Sequence, residues 1–270
     1  MSAARGRAPG ARALNAYTTC ISLAGCILLL WSLREVRTAL PGLLLFVALG
    51  IVAELTTSEG IMPQIAFSLS STVAYATAVG LGPLSAALVG AVGGLATTLV
   101  NAEADRREGR KRGASLGRRA MFNVAALSLA PAAGGAVYVL LGGTVGGLLG
   151  VRDALPLVAG AACAELVNGV IVVGAVSLQT RQPAWRLWRQ SVSWALPMNV
   201  LGLAVGGGGL AMGYHIAGVV GVAVFSLPLA LTIYAFRLYV TQTKLQMRRC
   251  EETIAERTAE LQAANRELQD

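Results

Sequence analysis

Apolar residues run through this chain in long blocks separated by short charged gaps. Eight blocks can be drawn, at about 13–33, 39–56, 61–79, 82–101, 120–141, 154–177, 193–213 and 216–239. Twenty helical residues rise about 30 Å, the thickness of a hydrocarbon core. Backbone amides inside lipid must be satisfied within their own segment, so such blocks predict helices rather than strands. The fold expected is all-α: a polytopic transmembrane helical bundle of about eight spans followed by a cytoplasmic coiled-coil helix. Residues 1–12 then form a cytoplasmic tail, 13–239 the membrane region and 240–270 the cytoplasmic helix. Glu54 and Glu59 crowd the junction between the second and third blocks. From Thr241 to Asp270 the pattern changes: Gly and Pro vanish, charge becomes dense, and Met247, Ile254, Leu261 and Leu268 recur every seven residues. Thr258 and Asn265 fill the alternate seam positions. This is the heptad of a short parallel coiled coil, with Asn265 placed to set its register. Pairing of that helix would dimerise the membrane region as well.

Charge orients the layout. Lys and Arg number 22 against 14 Asp and Glu, a formal net charge of +8. With the N-terminus inside, 19 of the 22 basic residues fall in cytoplasmic segments, and only Arg34, Arg37 and Arg152 fall outside. Lys and Arg are retained on the cytoplasmic side, so both termini are placed there. The same bias accounts for the basic balance without a nucleic-acid partner. Arg5, Arg7 and Arg12 precede the first block, which is longer than a signal-peptide core and lacks an A-x-A site, so it is read as a retained signal anchor. Charged residues make up 13% of the chain and hydrophobic ones 55%, with a mean hydropathy of +0.62. Gly reaches 32 residues and aromatics only 6%, a balance that suits closely packed helices in lipid. Gly90 and Gly94, like Gly202 and Gly206, have the four-residue spacing that allows close approach. The run Gly206–Gly209 should weaken its helix and act as a hinge, and Pro131, Pro197 and Pro228 predict kinks.

Candidate chemistry is sparse. The one histidine, His215, falls in the turn between the last two blocks, and no phosphate loop, metal-site spacing or nucleophile elbow is present. No cofactor is implied, and the chain as it stands is not expected to be an enzyme. Cys20, Cys26, Cys163 and Cys250 show no zinc or disulfide pattern and are expected to be small buried hydrophobes. Polar residues inside the blocks are more informative. Glu165 falls near the middle of the sixth block, where an ionised carboxylate costs about 2.5–3.5 kcal/mol on insertion scales. Asn168 shares its helix face, and Asn123 and Asn199 are placed to converge with it. Ser68, Ser71, Thr72 and Tyr75 form a polar stripe on the third block. Together these residues predict a ligand or proton-sensing pocket, or else ordinary interhelical hydrogen bonds. Arg106, Arg107, Arg110, Lys111 and Arg112 lie in one cytoplasmic loop that could meet anionic lipid headgroups. Trp185 and Trp188 among Arg181, Arg186 and Arg189 suit a short interfacial helix.

The stretch Glu256-Arg-Thr-Ala-Glu-Leu-Gln-Ala-Ala-Asn-Arg-Glu-Leu-Gln269 resembles the signalling helix that precedes bacterial histidine-kinase dimerisation domains and diguanylate cyclase (GGDEF) domains. The membrane part is similar to the multi-helix sensor regions of HD-GYP phosphodiesterases, cyclases and kinases. The residues that carry this likeness are Arg119 to Asn123, Leu127-Ser128, Tyr138, Gly142-Gly143, Leu166 to Asn168, Pro228-Leu229 and Tyr234 to Tyr239. The two likenesses together cover about 61–270. The resemblance implies a signal-input module in the bacterial inner membrane, homodimeric through its tail, acting on a cytoplasmic output domain or response regulator. The chain contains no phosphoacceptor histidine, HD pair or GGDEF run, so either a truncated sensor, most simply a histidine kinase, or a stand-alone membrane module is expected, the first being favoured. A small-molecule transporter and a lipid-binding scaffold are the competing expectations.

Overall fold

The computed structural model describes residues 9–35, 40–57, 69–107, 109 and 115–267. It divides into two units, Met1–Phe225 and Ser226–Asp270.

The described elements of the first unit are helical: α1 (Pro9–Glu35), α2 (Leu40–Thr57), α3 (Leu69–Leu81), α4 (Pro83–Arg107), α5 (Leu116–Leu140), α6 (Ala154–Thr180), α7 (Ala184–Ser191), α8 (Leu196–Gly202) and the first part of α9 (Gly208–Glu267). A 3-10 turn at Val151–Asp153 leads into α6, and a π-helical turn at Leu203–Gly207 joins α8 to α9. Five helical stretches are long and apolar enough to cross a membrane: Arg12–Arg34, Pro83–Arg107, Leu116–Leu140, Val151–Thr180 and Leu196–Pro228. The chain is therefore all-α, multi-span and membrane-associated, with five such stretches rather than the eight expected. Two causes account for the difference. The second and third blocks give only the shorter apolar helices Leu40–Leu55 and Leu69–Leu81. The last two blocks fall largely within one stretch, Leu196–Pro228.

That stretch doubles back. Ala217 (φ −136°, ψ 16°) and Gly218 (φ 56°, ψ −130°) interrupt α9, and Gly218 takes a left-handed φ that an L side chain resists. A Cβ on Gly209 would lie 3.3 Å from the Phe225 ring, and one on Gly221 would strike the Gly213 carbonyl. In a straight helix, residues sixteen apart are about 24 Å apart. The segments on either side of Gly218 therefore run antiparallel, with exposed His215 beside the turn.

Glycine sets the closest helix approaches. On α4, a Cβ at Gly94 would lie 2.5 Å from the Asn123 carbonyl oxygen, and one at Gly90 would strike that of Leu127. The Gly90–Gly94 pair thus lets two antiparallel backbones touch. Gly134 lies against the Gly160 carbonyl and joins α5 to α6 in the same way, while Gly25 brings α1 onto Ala125. At one end, Arg119 pairs with Asp105 at 3.1 Å and Arg118 donates to Asn15 Oδ1 at 2.8 Å. These bonds gather the start of α1, the end of α4 and the start of α5. Tyr17 adds the C-terminal half of α6 by donating to the Ile171 carbonyl at 3.1 Å. Next to it, Trp188 of α7 packs on Gly169 and leaves Trp185, Arg186 and Arg189 exposed.

The cysteines correct one expectation. All four are free, and Cys20, Cys26 and Cys250 are exposed rather than buried. Cys20 and Cys26 lie on the outward face of α1, where lipid rather than protein would surround them.

The second unit is helical from Ser226 to Glu267. Met247 and Ile254, two of the positions in the heptad, are 54% and 60% exposed.

Candidate functional site

α3, α4, α5 and α6 surround a cavity of about 20 Å³, room for one water. Ser70, Ser71 and Tyr75 line it from α3, Gly90 and Gly93 from α4, Leu127 and Pro131 from α5, and Glu165 and Asn168 from α6. Leu203 of the π turn closes it. Glu165 stands about 16 Å along α6 from Ala154, at 1.5 Å per residue. The cavity therefore sits near mid-depth of a membrane-length helix.

Each polar side chain is there for an identifiable reason. Ser70, Ser71 and Tyr75 follow the helical repeat of α3, which packs on α4 with Thr72, Val73, Ala76 and Thr77 buried. Tyr75 is fully buried and donates from its hydroxyl to the Leu157 carbonyl at 2.6 Å. Its space depends on glycine: a Cβ on Gly160 would lie 2.5 Å from that hydroxyl, and one on Gly207 2.9 Å from the ring. Glu165 and Asn168 are three residues apart on α6 and present one face. Pro131 has no N–H to offer the Leu127 carbonyl four residues back, and both residues border the cavity. A water held there would have polar partners on several sides.

Two carboxylates flank this space. Glu165 Oε2 accepts from Asn199 Nδ2 of α8 at 3.2 Å. On the opposite side Ser70, itself in the lining, donates to buried Glu54 Oε2 at 2.7 Å. Acids, hydroxyls and amides placed around one water site in this way can bind a proton or orient a water. Among the described residues no group of three His, Cys, Asp or Glu side chains is placed to hold a metal ion. Comparison with protein-family models, characterised proteins and solved structures finds no match to this chain. The likeness to kinase, cyclase and phosphodiesterase sensor regions therefore rests on the quoted motifs alone.

Of the six residues expected to form a pocket, Ser71, Tyr75, Glu165 and Asn168 line the cavity, and Asn199 joins them through Glu165. Asn123 does not. It lies one turn before Leu127 and donates instead to Thr98 Oγ1 at 2.9 Å, where it ties α5 to α4. Ser68 lies outside the described residues, and Thr72 is buried but not in the lining. In the basic loop, Arg106 and Arg107 are exposed and reach Glu103 at 3.9 and 3.2 Å; Arg110, Lys111 and Arg112 lie outside the described residues. Of the residues expected on a coiled-coil seam, Thr258 donates to the Ile254 carbonyl at 2.7 Å. Leu261 and Asn265 fall in α9 with their side chains undescribed, and Leu268 lies outside the described residues.

Sequence reasoning missed Glu54 and Ser70 as members of the site. The available signal was a carboxylate inside an apolar run, but its nearness to Glu59 made it look like the end of a span.

Proposed function

We propose that this chain is the membrane-embedded input module of a bacterial sensor, and that it relays a stimulus received within the membrane to a cytoplasmic output partner. The observation that carries the reading is the Glu165–Asn199 hydrogen bond. It joins the mid-depth polar cavity to α8, which runs through the π turn into α9, the helix that also bears the heptads. A π turn is a low-stability, adjustable segment often found at functional sites. A change at Glu165 therefore has a continuous covalent route to the tail, from α8 through the π turn and the reversal at Ala217 and Gly218 into the heptad-bearing part of α9. Orientation with both termini cytoplasmic follows from the basic residues. The tail then pairs with a second copy of itself along Met247, Ile254, Thr258, Leu261, Asn265 and Leu268.

The size of the cavity favours this reading over a solute carrier. Sites for organic ligands occupy roughly 300–1,000 Å³, whereas this one has room for about one water.

The test is pairing of the tail in the full chain. With Thr258→Cys as the sole cysteine, oxidation in membranes is expected to give a disulfide-linked dimer. Adding Ile254→Lys and Leu261→Lys places like charges in the seam and should lower the dimer yield at least about ten-fold. Unchanged cross-linking in the lysine variant would sink the proposal.

A further inference from the structure

We infer that the outward groove between the N-terminal halves of α1 and α5 is a binding site for one anionic phospholipid. The inference needs only a membrane setting and is independent of the signalling reading.

The groove has a structural origin. Gly25 brings α1 hard against Ala125, and on the N-terminal side of that contact a cavity of about 300 Å³ lies between the two helices. Asn15, Thr18, Thr19, Ser22 and Leu23 line it from α1, and Arg118 and Met121 from α5. Positions 15, 18, 19 and 22 share one helix face, as do 118 and 121. On this face Asn15 and Thr18 are half-buried, Thr19 is exposed and Ser22 is buried at the floor of the groove, a polar row out of keeping with an apolar spanning helix.

Its chemistry is graded with depth. Arg118 and Asn15 stand at the charged end of the bundle, at the level of the Arg119–Asp105 pair. Ser22 lies about 10 Å deeper along α1, at 1.5 Å per residue. Among the described residues, the Arg118 guanidinium bonds only the neutral amide oxygen of Asn15. Its positive charge and remaining N–H groups are left to an anion. Arg119, by contrast, is already neutralised by Asp105. The Asn15 amide accepts from Arg118 and keeps its own NH₂ as a donor. Thr18 spends its proton on the Leu14 carbonyl at 2.9 Å, whereas Thr19 and Ser22 offer hydroxyls along the groove. Leu23 and Met121 beside them are 58% and 55% exposed.

A phospholipid matches this order. Its phosphodiester meets Arg118 and Asn15, its ester carbonyls reach the hydroxyls of Thr19 and Ser22, and its acyl chain lies on Leu23 and Met121. Basic pockets between spanning helices on the cytoplasmic side take anionic headgroups in this manner. A free phosphate would use Arg118 and Asn15 and leave the rest of the groove idle.

The experiment compares lipid retention by the full-length protein after exchange into detergent from nanodiscs of phosphatidylglycerol or phosphatidylcholine, read by native mass spectrometry. The wild type is expected to keep one phosphatidylglycerol, in preference to phosphatidylcholine. Arg118→Gln should weaken retention about five-fold, the value of one basic contact at a membrane surface. Arg107→Gln, at an exposed arginine already paired with Glu103, should leave it unchanged. Ser22→Val keeps the Arg118–Asn15 bond and serves where Arg118→Gln fails to fold; it should also release the lipid. Equal losses in the Arg118 and Arg107 variants would mean diffuse surface attraction and overturn the site. Displacement of the lipid by 10 mM inorganic phosphate, or retention unaffected by Ser22→Val, would overturn it too.

Discussion

Valine at both Gly90 and Gly94 is expected to leave little folded protein, while alanine at Gly93 in the same helix is tolerated. The contrast comes from what each position faces. A Cβ at Gly94 would sit 2.5 Å from the Asn123 carbonyl oxygen and 2.7 Å from Val124 Cα, and one at Gly90 would strike the Leu127 carbonyl, whereas a Cβ at Gly93 meets nothing within 4 Å. The obstructing atoms are backbone and cannot swing aside as a side chain would. Overpacking costs about 1–3 kcal/mol per site and sometimes more, so the pair threatens about 2–6 kcal/mol of a total stability of about 5–15 kcal/mol. Gly93→Ala brings the better helix propensity, up to about 1 kcal/mol. Unfolding midpoints in mild detergent, with the monodisperse fraction after purification, measure both. A doubly substituted protein melting with the wild type would mean that α4 and α5 do not touch here.

The Gly90–Gly94 approach was legible because residue spacing and helical geometry are one statement: four residues make one turn. The same holds for Ser71 and Tyr75 on α3 and for Glu165 and Asn168 on α6, whose shared faces follow from the 3.6-residue repeat. Which faces meet is a tertiary fact. Asn123 and Asn199 looked equivalent as buried amides, yet Asn123 falls one turn short of the cavity and finds Thr98, while Asn199 reaches Glu165. The glycine run was readable as a weak point, though its outcome, a π turn over Leu203–Gly207 with Gly207 against Tyr75, depends on a bulky neighbour from another helix. The span count failed for a related reason. Hydropathy measures how apolar a block is and not how its helix is built, so the second and third blocks were counted as spans although they give only Leu40–Leu55 and Leu69–Leu81, and the last two were counted apart although they fall largely in one stretch, Leu196–Pro228, that turns round at Ala217 and Gly218. The lipid groove was hidden for the same reason: Asn15 and Arg118 are 103 residues apart in the chain.

Glu165→Ala is expected to be the variant that uncouples the membrane region from the tail. Removing the carboxylate leaves the Asn199 amide without its acceptor at mid-depth, where water is scarce. Interhelical hydrogen bonds in membranes average about 0.6 kcal/mol and reach about 1.7 kcal/mol, so Glu165→Ala and Asn199→Ala should each cost about 0.6–1.7 kcal/mol. The double variant should cost less than their sum by at least about 0.5 kcal/mol, because contacting residues are not additive. Unfolding of the four proteins of the cycle measures this, and additivity within about 0.3 kcal/mol would show that the pair does not act together. The second readout is the tail. If α8 carries the state of the cavity into α9, a coupling of about 1–3 kcal/mol shifts a two-state tail between five- and 150-fold. That shift should appear as a changed disulfide cross-linking profile along 247–258 in the Glu165 variant. Gly117→Ala, at a position outside the cavity lining where a Cβ meets nothing within 4 Å, should leave the profile as it is. A tail profile blind to Glu165, in a protein whose cycle shows coupling, would confine the hydrogen bond to holding the bundle together and remove the cavity from the path of the signal.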